Sequence, residues 1–565
     1  MKIAKKGCFG QKAQNFKLKT VYKKMVFLEF GFEPLILFYK LPAVYNMKGP
    51  ANSADIFMLI KGLSSNEKSY YTKLAKRHSD KNASLHLKLF KLIDESEVHD
   101  EKMLSLALGI KNKIHFSGIK NYLYKDILNT IIFKEKNRTA DTQLYFLHDQ
   151  IRMLYERGLV HLAFKLCGKA ISLAEKYGKY YFMILFIHLR NRVLENKDYK
   201  QFKDQSEMLF AELEEAINEQ KIFAQHRLMY EKVRNMTSRS WLPITEDELI
   251  EIKAAESLLE SYDIGKIQKP LIRLFFFNSL ALCQYMLHEN CECSETCGRI
   301  AELWKSNPHL INENAALFTS SFNTLCYNNF IFKNIDEIRA DLNAYKLLKE
   351  SHLVNRFYLK HFKIIQFNTE LKIHLKTARY HEVEKLISSE VEDIFNFTTE
   401  ILSPPEQLSV FSSVCISYFV LEKWDDAEKL LMNIKEQNHQ IKREDVLYFS
   451  LLFHLLILYE QGELIRLDSA LQAAYQFLYS RKKPRPFERQ LMLFLKRLSG
   501  TISKRTSKAL IAQFLVQLDK YRNDPGTNLY FLYFNYYGWL ESKIMGISYK
   551  EYVSQKLSRA GSSKI

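Results

Sequence analysis

The sequence predicts an all-α protein, a small basic helical domain followed by an α-solenoid of stacked helical hairpins. Three observations carry that expectation. Glycine (18) and proline (11) together make about 5% of the 565 residues, against a usual share of roughly 12%. Both residues punctuate turns and strand ends, so their scarcity argues for long helices and few loops. Apolar residues recur at helical spacing: Ile119, Leu123, Ile127 and Ile131 stand every four residues, with Tyr122, Leu128 and Ile132 widening the stripe. Finally, LYERG at 154–158 returns as LYEQG at 458–462, a shift of 304 residues.

Residues 1–46 form an uncertain leader. Met47 opens MKGPANSADIFMLIKGL, a polar lead into a helical pattern, and two readings stand side by side: residues 1–46 are a disordered leader, or translation starts at Met47. The most apolar run of the leader, MVFLEFGFEPLILFYKLPAVY, carries Glu29, Glu33 and Lys40 and is broken by Pro34, a poor match to a signal peptide. No run of 18 uncharged apolar residues occurs, so no membrane span and no membrane partner are expected. Charge is uneven. Residues 1–46 hold nine lysines against two acidic residues, and residues 47–136 hold sixteen Lys and Arg against ten Asp and Glu. Of the net +18, only +5 is left for the rest, so an acidic partner held electrostatically belongs in the N-terminal quarter.

Residues 47–136 read as a small basic domain of four or five helices. Ser64-Ser65-Asn66-Glu67 has the spacing of a capping box and opens a helix carrying Tyr70, Tyr71 and Leu74. The same helix holds Lys68, Lys73, Lys76 and Arg77, with Lys61 nearby. This cluster is either a solvated helix face or a set of nucleic-acid phosphate contacts. Tyr70 and Tyr71 suit the apolar face of the helix better than a stacking platform.

From 139 to 480 the chain repeats. Gly158, Val160, Ala163 and Ala170 stand at spacings 0, 2, 5 and 12, a pattern that resembles the tetratricopeptide repeat. In that repeat a glycine ends the first helix, a large residue follows the turn, and small residues let the second helix pack close. With the large residue as landmark, the units fall at Val160, Tyr199, Cys291, Ile335, Tyr380, Trp424 and Leu464. The long interval after Tyr199 hides one more unit: a helix at 219–237, a turn with Trp241 and Pro243, and a helix capped by Thr245 and Glu248. The mean period, about 43 residues, exceeds the usual tetratricopeptide period of about 34. KWDDAEKLL at 423–431 preserves the pattern best, whereas Phe202 and Val383 stand where a small residue is expected. A two-helix unit is too thin to bury its own apolar stripe, so stacking is obligatory.

Residues 481–547 are expected to close the array with helices at about 487–499, 505–521 and 526–545. The last carries Tyr530, Phe531, Tyr533, Phe534, Tyr536 and Tyr537 and must be covered by neighbours. Residues 548–565, ending SRAGSSKI, read as a frayed tail. KGLSSNEKSYYTKLAKRHS, then IKNYLYKDIL, then degenerate helical repeats, looks like a group of bacterial tetratricopeptide-like proteins of this size, over residues 54–545. The resemblance implies a right-handed superhelix and no particular activity.

ENCECSETC at 289–297 is the one cluster of ligating residues. Zinc sites use pairs spaced C-x₂₋₄-C or H-x₃₋₅-H, whereas Cys291 and Cys293 form a C-x-C pair with no second pair following. With Cys291 as landmark, Ser294 takes the small position, Cys283 faces inward from the first helix, and Cys293 and Cys297 lie on the second. Small residues tolerated at a turn is the favoured reading; a local site with His288 or a redox role is the alternative. The other cysteines sit singly in helical patterns, which fits a reducing, cytoplasmic setting. No phosphate-loop, dinucleotide, H-E-x-x-H or G-x-S-x-G signature is present, so neither an enzyme nor a cofactor is expected.

Resemblance to tetratricopeptide arrays implies that the first helix of each unit lines a concave groove. Carried over by the landmarks, its positions are His148, Arg152, Asn191, Asn323, Tyr327, Asn368 and Lys372. Asn323 and Asn368 occupy the same place in successive units, so their amides are expected to stack along the groove and grip a peptide backbone, with Arg152 and Lys372 adding carboxylate contacts. The expected function is a non-enzymatic scaffold holding a protein or peptide partner in that groove. The alternative is a nucleic-acid-associated regulator with the basic domain on phosphates.

Overall fold

The structure is a computed structural model that describes residues 53–77, 81–135, 139–194, 199–239, 246–332, 335–402, 404–441, 444–481, 486–501, 503–522, 531 and 533–562. The leader at 1–46, the turn residues Trp241, Pro243 and Thr245, the aromatic Tyr530, and the side chain of Phe202 lie outside the described residues. Among the described residues there are twenty-five α-helices, one 3-10 turn (Ile264–Lys266) and no strand. The all-α expectation is met, and the helices pack mostly against their neighbours in sequence. The chain divides into two compact units, Met1–Glu135 and Lys136–Ile565.

The first unit contains α1 (Ser53–Gly62), α2 (Ser65–Arg77), α3 (Lys81–Glu95), α4 (Glu101–Ala107) and α5 (Lys113–Lys134). The capping box forms as the sequence implies: the Ser64 amide donates to Glu67 at 2.7 Å and the Glu67 amide to Ser64 Oγ at 3.4 Å. Ile56, Ile60, Tyr71, Phe90 and Ile93 close over Ile119, Leu123 and Ile127 of α5. The stripe on α5 is narrower than expected, because Tyr122 and Ile132 are both more than half exposed.

The second unit begins with α6 (Ala140–Glu156) and α7 (Val160–Lys176), followed by α8 (Tyr180–Leu194) and α9 (Tyr199–Arg239). Next come α10 (Glu246–Glu260), α11 (Pro270–Met286), α12 (Asn290–Ser306) and the single turn α13 (Leu310–Glu313). Three hairpins follow: α14 (Ala315–Phe332) with α15 (Ile335–His352), α16 (Arg356–Lys376) with α17 (Tyr380–Ile401), and α18 (Pro404–Val420) with α19 (Trp424–Ile441). α20 (Glu444–Gln461) and α21 (Leu464–Arg481) make another. The chain ends with α22 (Pro486–Ser499), α23 (Lys504–Arg522), α24 (Tyr536–Met545) and α25 (Tyr549–Ser562).

One turn recurs through the unit. Gly158, Gly178, His288, Ala378, Glu422 and Gly462 all have φ between 53° and 74°. At each, the amide of the left-handed residue bonds back three residues and the next amide bonds back five, as in Gly158→Tyr155 and Leu159→Leu154. This is the Schellman closure, which satisfies the last carbonyls of a helix and leaves one residue before the next begins. The landmarks Val160, Tyr380, Trp424 and Leu464 are therefore each the first residue of a helix, and Tyr199 and Ile335 also stand first in theirs. The exception is Cys291. His288 holds the left-handed place, so α12 begins at Asn290, and Cys293 rather than Ser294 takes the small position. Three residues into the helix, Ala163, Cys293, Val383, Ala427 and Leu467 are all 0% exposed. The position demands burial against the preceding helix more than it demands smallness.

Two elements depart from the expected pattern. The hidden unit does not begin a separate helix at 219: residues 199–239 form one helix of 41 residues, about 60 Å long at 1.5 Å per residue. Its middle, MLFAELEEAINEQKIFA, has neither Gly nor Pro and consists largely of good helix formers, so nothing ends it. At the other end, Phe531 and Tyr533 of the expected helix at 526–545 are helical, but Phe534 and Asn535 interrupt it and a helix opens afresh at Tyr536, where Asn535 accepts from the Gly538 amide at 3.0 Å. The frayed tail is replaced by α25, opened by Ser548 and Glu551, whose side chains cap each other's amides at 3.2 and 3.1 Å.

The core of the second unit forms two clusters that meet at α16, which gives Phe362 and Ile365 to one and Ile364, Phe367 and Leu371 to the other. Rings meet across helices: Phe322 stacks on Phe362 at 4.1 Å and Trp304 stands edge-on to Phe318 at 5.3 Å. The first helices of the hairpins are apolar nearly all round. α11 is buried from Leu271 to Met286 except at Arg273, and α20 from Leu452 to Leu458. A helix apolar all round must be covered on both sides. One side is covered by the second helices. On the other, α9 lays Phe223, His226 and Tyr230 against Phe275 and Phe276, and its end brings Arg234 within 3.9 Å of Glu406 on α18. Further along, Phe534 meets Phe419 and Phe453, and Tyr533 stacks on Phe449.

Candidate functional site

Between these two covers, the face made by α11, α14, α16 and α18 is left with a chamber of about 540 Å³. Tyr285, Tyr327, Lys372 and Ser409 line it from the helices, and Phe531, Phe534, Tyr549 and Tyr552 line it from the C-terminal segment. Size and mainly apolar walls match those of ligand pockets in general.

Of the seven residues expected to line a groove, three converge here. Tyr327 on α14 and Lys372 on α16 stand 45 residues apart, one repeat interval, and so occupy equivalent places on neighbouring helices. Lys372 Nζ lies 4.3 Å from the centre of the Tyr327 ring, a cation–π distance. The Tyr327 hydroxyl and Ser409 Oγ are 2.7 Å apart, and Asn368 Nδ2 donates to the same hydroxyl at 3.4 Å. Asn368 is 6% exposed and its Oδ1 has no partner. The amide of Asn368 is thus directed at a tyrosine on the neighbouring helix. Asn323, one turn before Tyr327, is half-buried on α14.

His148, Arg152 and Asn191 lie on α6 and α8, apart from the helices that form the chamber. His148 Nδ1 is 3.3 Å from Asp149, and exposed Arg152 stands 3.8 Å from Glu156 in its own helix. Asn191 is half-buried with Oδ1 unpartnered.

At the rim, Lys556 donates to Tyr552 Oη at 2.9 Å and stands 3.4 Å from Glu541. Tyr552 also bonds Glu541. Burial lowers the Lys376 ammonium below the ordinary lysine value, although the residue as a whole is exposed. Burial pushes the Tyr380 hydroxyl up to about 12.

The cysteines lie elsewhere, in the seam between α11 and α12. Cys283, Cys293 and Cys297 are buried, and Cys291 points out to solvent. Cys293 Sγ donates to the Ala281 carbonyl at 3.3 Å. Burial, with Glu256 and Glu289 adding, pushes Cys283 up to about 12. The bond with Cys297, then burial, raises Cys293 further. Protonated thiols are poor ligands and poor nucleophiles. Among the described residues no group of three or more His, Cys, Asp or Glu is placed to hold a metal ion.

In the first unit, Lys68 is held by Asp94 at 2.6 Å, while Lys73 and Lys76 are exposed. The side chain of Arg77 lies outside the described residues. Tyr71 is 1% exposed and donates to Asp126 at 2.9 Å, and Tyr70 is half-buried under Lys134. Both rings are occupied, so neither serves as a stacking platform.

Sequence reading missed the C-terminal wall of the chamber. The signal was present twice: in the S-x-x-E box SYKE at 548–551, and in first helices too apolar to face an open groove. No helix among the described residues is long and apolar enough to cross a membrane. No family model matches the chain, and neither a curated protein nor a solved structure matches it.

Proposed function

We propose that the chain is a non-enzymatic interaction scaffold of the cytoplasm whose second unit is a right-handed superhelix of tetratricopeptide-like hairpins. A short segment of a partner protein sits on its inner face, in the chamber between α14, α16, α18 and the C-terminal helices. The repeated Schellman turn and the mostly nearest-neighbour contacts of the helices support the array. Seven free cysteines among the described residues suit a reducing compartment.

The observation that carries the reading is the convergence of Tyr327, Lys372 and Ser409, from three helices, on one apolar chamber, with Asn368 donating to the Tyr327 hydroxyl from behind. Such a site combines a preformed surface with a few polar grips, so little ordering cost falls on the receptor. The test is site-specific photocrosslinking in the native cell, with p-benzoylphenylalanine at Ile416 in the chamber or at exposed Lys429 on α19. A discrete protein adduct at 416 and none at 429 is expected. Equal labelling at both positions, or none at 416, removes the reading.

A further inference from the structure

We propose that the chamber is a binding site for a small amphiphilic carboxylate, a single negative headgroup on an apolar body. The inference rests on the reading that this face binds a ligand, but not on that ligand being a protein. Three lysines, Lys372, Lys376 and Lys556, line the chamber, and among the described residues no Asp or Glu lines it. Lys556 is engaged by Glu541 and Tyr552, and Lys376 stands at the exposed rim. Lys372 differs from both. It is half-buried, its ammonium lies over the Tyr327 ring, and no carboxylate is within ion-pair distance of it among the described residues. An ammonium set in an apolar wall without a counter-ion favours a ligand that brings the negative charge.

The hydroxyl pair beside it supplies the second contact. Tyr327 Oη and Ser409 Oγ share one hydrogen bond at 2.7 Å. When Tyr327 donates in that bond, the proton of Ser409 is left for a ligand oxygen. One ammonium and one hydroxyl match a monoanion; a phosphate dianion would be left half-neutralised in an apolar site. Leu375, Ile416, Val420, Phe531 and Phe534 offer the body of the ligand only carbon, which selects a chain or ring system over a polar metabolite.

The test is calorimetric titration of the full chain with dodecanoate, dodecanol and dodecyltrimethylammonium. Dodecanoate is expected to bind one to one, dodecanol about tenfold more weakly, and the cation not at all; tenfold is the worth of one charge-assisted hydrogen bond. Lys372→Met should lose about tenfold for dodecanoate and nothing for dodecanol. Ile416→Trp fills the chamber and should abolish both. Should Ile416→Trp fail to keep the parent far-UV spectrum, the Lys372→Met comparison decides alone. Equal affinity for acid and alcohol, an unchanged Lys372→Met, or no binding of dodecanoate overturns the proposal. A leucine-rich hexapeptide with a free carboxylate, run beside its C-terminal amide, separates the sources. Acid-selective, Lys372-dependent peptide binding tighter than that of dodecanoate keeps the carboxylate site and assigns it to a chain terminus. Dodecanoate binding without a crosslinked protein keeps the site and removes only the scaffold reading.

Discussion

Glu256, on α10, is 8% exposed and carries the clearest pH signature in the molecule. Burial, then the hydrogen bond with Glu289 and its charge, pushes its carboxyl up from 4.5 to about 7. Between those values the folded chain holds a proton that the unfolded chain has released, so stability falls as pH rises through that window. His226 acts in the opposite sense. It is 2% exposed and burial lowers its pKa from 6.5, so its contribution is lost as pH falls. The difference between the parent and Glu256→Gln isolates the carboxyl. Urea unfolding should show the parent losing about 1–3 kcal/mol relative to the variant between pH 5 and pH 8. A difference that does not change with pH would mean that Glu256 ionises freely. None of this was legible in EIKAAESLLE, because Glu289 lies 33 residues away and the α11 side chains that bury Glu256 lie in between.

The hairpin turn is the element that organises the second unit. Its left-handed residue is glycine at 158, 178 and 462, but His288, Ala378 and Glu422 hold the same conformation at a steric cost. Glu422→Gly should therefore stabilise the chain by about 0.5–1 kcal/mol in chemical denaturation, since the exposed side chain gives up nothing else. Gly178→Ala should destabilise it by more than about 1 kcal/mol, because φ is 65° and the added Cβ would stand 2.9 Å from Leu271 Cδ2. Where glycine holds the turn, as in LYERG, the sequence marks it directly. At 288 the left-handed residue is a histidine and the next helix opens on Asn-Cys, so the landmark slipped by one residue. Capping boxes are written in the sequence at 64–67 and equally at 548–551, where the serine follows a run of aromatic residues.

For the molecule as a whole, the C-terminal helices matter most where they meet the middle helices of the second unit. Tyr549 packs on Phe534 at 5.3 Å, and Lys550 stands over Tyr380 at 5.6 Å. Deleting residues 547–565 removes Tyr549 and the buried Tyr552, worth about 1.5–3 kcal/mol each by apolar burial. Hydrogen exchange should rise in α16 and α18 and stay unchanged in α6 and α7, because contacts run chiefly between neighbours. A uniform rise would show instead that the unit opens all at once.

Helix content, the hairpin turns and the repeat interval were readable from the chain, because each depends on residues within a few turns of one another: breakers, caps and apolar periodicity. Tyr327 and Lys372 take equivalent places on neighbouring helices for the same reason, being one interval apart. Which face stayed open was not readable. That depends on α9 failing to break near 219 and on residues 531–557 returning to α11, α14, α16 and α18, as much as 272 residues away. A local pattern can say that a helix needs cover on two sides, but only the fold says what covers it.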